Sequence, residues 1–306
     1  MASPQAEALK QLMRDFRAAA VGSADAAPPT VEEQRAGAAM SMEAMGVMPD
    51  GVTTTETSLA GLFALDQRPD GGADDRVVLY LHGGGYVVLS PRTHAKLSAG
   101  IAKAAGCRVV SVDYRLAPEH PHPAAVTDAL AAYRALLDEG YAPHQVAISG
   151  DSAGGGLTLA TLVAARDAGV PQPACAVPLS PWTDLEGTGE SMDTKADDDL
   201  IVGRDGLKIM GDLFLAGGDA RDPLAAPLYA DLRGLAPVYV QVGGDETLLD
   251  DSTRFVARAA AAGVDVRLDV FPEMQHVFQS GLGMFPEADD AVARIGQYLR
   301  SKLAIG

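Results

Sequence analysis

Short apolar runs rich in Val and Ile recur at residues 77–81, 108–112, 145–149, 174–179, 238–242 and 266–271, and most of them are separated by helical patterns at 93–105, 124–139, 153–168 and 252–262. A last helical pattern spans 287–303. Strands this short and this uniformly apolar are buried on both faces, and a helix between each pair forces parallel crossovers. The pattern therefore predicts an α/β fold built on a mostly parallel sheet with helices on both sides. At 306 residues the chain suits one such domain with room for added helices.

Two segments break the rhythm. Before any strand, residues 5–20 carry Leu9, Leu12, Met13 and Phe16 at spacings of three and four, which predicts an amphipathic helix. A breaker follows at 24–30, and Thr30 with Glu33 forms a capping box opening a second helix through Met45. Met40, Met42, Met45 and Met48 suit either an adaptable lid or ordinary core filling. Residues 52–65 favour β structure, and 70–75 read as a turn. The second interruption, residues 185–231, holds short helical stretches such as 207–215 and no clear strand.

The densest chemical signal lies at residues 145–159. An apolar strand ends abruptly in Gly150, Asp151, Ser152, Ala153 and Gly154, and a helical pattern resumes at once. This G-x-S-x-G spacing sets a serine on a sharp strand-to-helix corner with its hydroxyl raised above the sheet. Larger neighbours would collide where strand and helix pass closely. The helix N-terminus adds partial positive charge beside the hydroxyl.

A serine hydroxyl needs a base. Of six histidines, His82 belongs to a glycine loop, His120 and His122 to a proline-rich turn, and His94 and His144 to element starts that suggest capping or surface roles. His276 follows the last strand through a short loop, which carries it to the same sheet edge as Ser152. The base in turn needs a carboxylate on another strand end. Asp245 is the first acid past the strand at 238–242 and is the expected partner. Glu246, Asp250 and Asp251 compete, with Asp250 the next choice, and their other role is negative charge at the start of a helix. Amide donors for an oxyanion come from the strand that runs into His82, Gly83, Gly84, Gly85 and Tyr86. Gly84 and Gly85, joined by Ala153, are the expected donors, with Gly83 as a further candidate. The run has neither the Lys-Ser/Thr ending of a phosphate loop nor the G-x-G-x-x-G spacing of a dinucleotide site.

The formal net charge of −17 argues against nucleic acid and anionic membrane as partners. Cys107 and Cys175 lie in apolar runs, so buried fillers in a reducing cytoplasm are expected, and no metal site is expected. The first twenty residues include Lys10, Arg14, Asp15 and Arg17, which breaks any signal-peptide core. Tyr86 is placed equally well in the substrate pocket or packed under the glycine loop. Trp182 is expected between sheet and cover, Asp151 on neighbouring backbone, and Asp197 to Asp199 in a solvated acidic loop.

Together, HGGGY, the stretch DYRLAPEHPHPAA, GDSAGGG, SPWTDL and GGDETLLDD ahead of His276 resemble the bacterial hormone-sensitive lipase family of carboxylesterases. The order serine, acid, histidine is that of α/β-hydrolases. The resemblance implies an eight-stranded α/β-hydrolase core over 51–306, and a helical cap built from residues 1–50 plus an insertion at about 185–231. It implies cofactor-free hydrolysis of short-chain acyl esters by Ser152, Asp245 and His276 through an acyl-enzyme, with Gly84, Gly85 and Ala153 as oxyanion hole. A lactone, acetyl ester or thioester substrate is the alternative, and a non-catalytic small-molecule receptor the rival from another class. The partner expected is a small-molecule ester, and the resemblance also implies a homodimer through an edge strand, here 266–271.

Overall fold

A computed structural model describes residues 2–21 and 29–306, with side chains described outside 16–28. The Phe16 side chain and residues 24–28 of the expected breaker lie outside the described residues. The chain begins with α1 (Pro4–Val21) and α2 (Val31–Ala44). The Thr30 hydroxyl accepts from the Glu33 amide while the Glu33 carboxylate accepts from the Thr30 amide, so the capping box forms.

The β-favouring stretch after them is a hairpin, β1 (Val52–Leu59) and β2 (Leu62–Pro69), turned at Ala60 and Gly61 with φ of 53° and 79°. Two positive φ values match the right-handed twist of the paired strands. The alternating part follows in order: β3 (Ala73–Leu81), α3 (Ala95–Ala105), β4 (Cys107–Val112), α4 (Ala124–Asp138), β5 (Val146–Asp151), α5 (Ala153–Asp167) and β6 (Cys175–Leu179). Next come α6 (Ser191–Thr194) and α7 (Arg204–Leu215), and then β7 (Val238–Gly243), α8 (Leu249–Ala261), β8 (Val266–Phe271) and α9 (Pro286–Lys302).

The eight strands form one sheet in the order β1-β2-β4-β3-β5-β6-β7-β8. Strands β3 to β8 run parallel, and β2 pairs antiparallel with both β1 and β4. Because side chains alternate along a strand, Val77, Leu79 and Leu81 of β3 feed a core with α4, α5 and α8, while Val78 and Tyr80 feed one with α3 and α9. Gly296 lets α9 close on α3, since a Cβ there would lie 2.4 Å from the Ala104 carbonyl. Cys107 and Cys175 are buried free thiols, each pushed up to about 12 by burial.

Helices α1, α2 and α7 sit over the C-terminal ends of the strands, and specific contacts fix them there. Ser3 donates from its amide and hydroxyl to Glu287 at 2.6 and 2.8 Å. Arg35 of α2 grips the Glu119 carboxylate with two nitrogens at 2.7 Å and donates to the Val87 carbonyl at 2.9 Å. On α7, Phe214 stacks on Tyr86 with ring centroids 3.8 Å apart. Among the described residues, no helix is long and apolar enough to cross a membrane.

Candidate active site

Strand β5 and helix α5 meet at Ser152, whose backbone stands at φ 54°, ψ −122°. This region is sparsely populated for a residue with a side chain, and it persists because the surroundings hold it. The Ser152 amide donates to Leu179, and its carbonyl accepts from Gly156 and Trp182. The glycines of the motif are required by backbone contact. A Cβ at Gly150 would lie 2.4 Å from the Leu81 carbonyl, and one at Gly154 would lie 2.0 Å from it.

His276 arrives from the loop after β8. Its Nε2 lies 2.9 Å from Ser152 Oγ, and its Nδ1 lies 2.8 Å from Glu246 Oε2. A carboxylate only accepts, so Nδ1 carries the hydrogen and Nε2 is left to accept from the serine hydroxyl. Glu246 is completely buried, and its Oε1 accepts from the Ser180 hydroxyl at 2.6 Å and the Gly243 amide at 2.5 Å. Burial pushes the Glu246 carboxyl above its ordinary range, against the opposing pull of His276 and Ser180. For His276, burial alone would lower the pKa, but the Glu246 charge and hydrogen bond raise it above 6.5.

Asp245, the acid expected beside His276, is not the carboxylate there. It points toward the covering helices, with Oδ2 3.0 Å from Lys10 Nζ of α1 and Oδ1 3.7 Å from Lys195 Nζ. The chain leaves β7 through Gly243 and Gly244, after which the two acids diverge, Asp245 to Lys10 and Glu246 to His276. Asp245 is half-buried, whereas Glu246, Thr247 and Leu248 are buried. The other two competitors tether the 183–191 segment. Asp250 accepts from the Ser191 amide at 2.8 Å, and Asp251 accepts from the Thr183 and Asp184 amides at 2.7 and 2.8 Å.

The glycine loop also divides. The Gly83 amide donates to Asp151 Oδ1 at 3.1 Å, so it is committed and is not a free oxyanion donor as expected. Gly84 and Gly85 line the cavity beside Ser152, at φ 109° and 60°. No protein acceptor among the described residues takes either amide. Ala153 occupies the first position of α5, where an amide has no intrahelical acceptor.

Tyr86 does not line the pocket. Its ring is buried between Phe214 and Trp182, with the role of holding the glycine loop against α7. Trp182 is buried and donates to the Asp184 carbonyl at 3.2 Å. His94, expected as a cap or surface residue, is buried in the cavity wall, with Nε2 3.2 Å from Asp151 Oδ2. Asp199 is not solvated. It is buried and accepts from the amides of Ile201, Val202 and Thr247, which ties the covering segment to the loop bearing Glu246.

Above Ser152 lies a cavity of about 500 Å³. Its wall is mostly apolar, with Met13 from α1, Met42 and Met45 from α2 and its end, and Ile201, Leu207 and Met210 from the later covering segment. Among the described residues the wall contains no lysine or arginine. It also contains Ser152 and His276, so a neutral, largely apolar molecule can reach both.

A family model described as "alpha/beta hydrolase fold" matches residues 78–280. A crystal structure of an esterase from the bacterial hormone-sensitive lipase (HSL) family is 46% identical, covers 99% of both chains and superposes with a TM-score of 0.92. The chain belongs to the bacterial hormone-sensitive lipase family of esterases. An acetyl-hydrolase of Streptomyces hygroscopicus is 40% identical to this esterase over 100% of its chain and 99% of the relative. An esterase of Acinetobacter venetianus is 36% identical over 79% of this chain and 80% of its own.

Proposed function

We propose that this esterase hydrolyses short-chain acyl esters through an acyl-enzyme, with Ser152 as nucleophile, His276 as base and Glu246 as the acid that orients it. The observation that carries the reading is the His276 ring, which bridges Ser152 Oγ at 2.9 Å and Glu246 Oε2 at 2.8 Å. His276 takes the serine proton as Oγ attacks the ester carbonyl, and the imidazolium is stabilised by Glu246. The amides of Gly84, Gly85 and Ala153 receive the oxyanion. His276 then protonates the departing alcohol, activates water against the acyl-enzyme and returns to its starting state as the acid leaves. No cofactor enters these steps.

The cavity supports a neutral substrate. Its apolar wall stabilises alkyl groups on either side of the carbonyl, and a thioester carrying phosphates would meet no lysine or arginine there among the described residues. In this reading residues 1–50 and the 185–231 segment form the cap, and the rest of the chain is the catalytic domain. Strand β8 is last in the sheet, and among the described residues no strand pairs with its outer edge, through which two copies would join.

The test is hydrolysis of p-nitrophenyl acetate and butyrate by Ser152→Ala, together with labelling of the wild-type chain by a serine-reactive phosphonate. The expected result is loss of activity by at least about 10³-fold and stoichiometric labelling of Ser152. Retained turnover, or a wild-type chain that resists the label, refutes the assignment.

A further inference from the structure

Asp151 precedes the proposed nucleophile, yet its side chain serves the glycine loop. Oδ1 accepts from the Tyr80 hydroxyl at 2.7 Å and the Gly83 amide at 3.1 Å, and Oδ2 faces His94 Nε2 at 3.2 Å. The fit admits only glycine at position 83, where a Cβ would lie 2.2 Å from Asp151 Oδ2. One buried carboxylate thus joins the residue before the serine to the residue before the two proposed amide donors.

The ring of His94 meets acceptors at both nitrogens. Besides the carboxylate at Nε2, Nδ1 lies 3.2 Å from the Ser90 carbonyl and 3.0 Å from Thr93 Oγ1. The Thr93 hydroxyl already donates to the Ser90 carbonyl at 2.8 Å. With the Thr93 hydrogen directed at Ser90, both ring nitrogens face acceptors, an arrangement that the doubly protonated imidazolium satisfies. Burial alone would disfavour that charge, but Asp151 raises the His94 pKa above 6.5, and His94 and Tyr80 hold Asp151 below its ordinary range.

Accepting the serine mechanism above, we propose that His94 is a positioning residue whose positive charge neutralises Asp151, so that the carboxylate can hold the oxyanion loop through Gly83 without repelling the oxyanion that forms beside it. Without the cation, a bare negative charge would stand next to Ser152, where negative charge develops during the reaction. Other titratable groups near the pair are the Tyr80 hydroxyl on Oδ1, His82 with its ring 5.7 Å from that of His94, Tyr114 stacked on His82, and His276; Tyr114 and His276 both feel the Asp151 charge. Burial and the neighbouring His94 charge hold His82 down at about 3, so it stays neutral.

The test compares His94→Gln, Asp151→Asn and the double variant on a nitrophenyl ester across pH, with phosphonate labelling of Ser152 as the reference. His94→Gln keeps a hydrogen bond to Asp151 and loses the charge, so kcat falls about 10- to 100-fold with KM nearly unchanged. Its rate also gains a descending limb as Asp151 ionises. Asp151→Asn keeps an acceptor for Gly83 and removes the charge, so kcat stays within about tenfold of wild type. The double variant recovers most of what His94→Gln loses and lacks the descending limb. A double variant as impaired as His94→Gln, or a His94→Gln enzyme at full rate with Ser152 still labelled, overturns the proposal. If His94→Gln does not fold, an Asp151→Asn enzyme impaired by 10³-fold or more overturns it. A wild-type chain that takes no label overturns the serine mechanism itself.

Discussion

Replacing Glu246 by Gln discriminates between the two adjacent acids with a one-atom change. In the folded chain Glu246 uses both oxygens, Oε2 on His276 Nδ1 and Oε1 on the Ser180 hydroxyl and Gly243 amide. An amide has only one oxygen. If that oxygen stays on Gly243 and Ser180, the NH₂ faces His276 and drives the ring hydrogen to Nε2, where the serine proton should go. If the amide flips, two donors meet at the buried Gly243 amide, at a cost of about 1–3 kcal/mol. Either arrangement also removes the charge that stabilises the imidazolium. The expected loss in kcat is ~10³- to 10⁴-fold, which corresponds to about 4–5.5 kcal/mol of barrier. Asp245→Asn loses pairings with Lys10, which keeps Glu7 and the Glu273 carbonyl, and with Lys195, neither of which touches Ser152 or His276, so its kcat should remain within about threefold. The assay is steady-state hydrolysis of p-nitrophenyl butyrate with circular dichroism as a folding control. A folded Glu246→Gln enzyme near wild-type rate, beside an inactive Asp245→Asn, would refute the argument.

The remaining predictions concern pH. His276 must be neutral to accept the serine proton, and its pKa is raised, so kcat/KM should climb with pH through a midpoint above 6.5; a midpoint below it contradicts the Glu246 contact. Buried Asp251 is pushed up to about 7, so from about 3.8 to 7 the folded chain holds a proton that the unfolded chain releases, and this group's contribution to stability falls as pH rises through that window. Asp251→Asn cannot ionise and should gain stability relative to wild type as pH rises across the same range; parallel urea-denaturation profiles would rule this out.

The order of strands and helices was legible because it rests on local pattern, and the corner at Ser152 because its glycines answer to backbone contacts within the same few residues. His276 was legible from its place after the last strand. The choice between Asp245 and Glu246 was not, because it depends on how the chain leaves Gly243 and Gly244 and on a lysine 235 residues away in α1. Gly83 and Tyr86 follow the same rule. One amide is taken by Asp151 and one ring by Phe214, and both partners are distant in sequence. His94 looked like a helix cap because it precedes α3, and only the fold brings β5 beneath it. A capping box on α2 could be read directly, since both partners lie within one turn.

The absence of lysine and arginine from the described cavity wall also bears on how a turnover ends. A neutral ester enters easily, but the acid it leaves behind ionises at neutral pH. In that pocket the new carboxylate gives up hydration and meets no lysine or arginine among the described residues, while His94 is already paired with Asp151. A chamber lined this way holds the neutral reactant better than the charged acid made from it, which weakens inhibition by product. An arginine introduced into that wall would tighten the grip on the spent acid and turn the pocket into a trap.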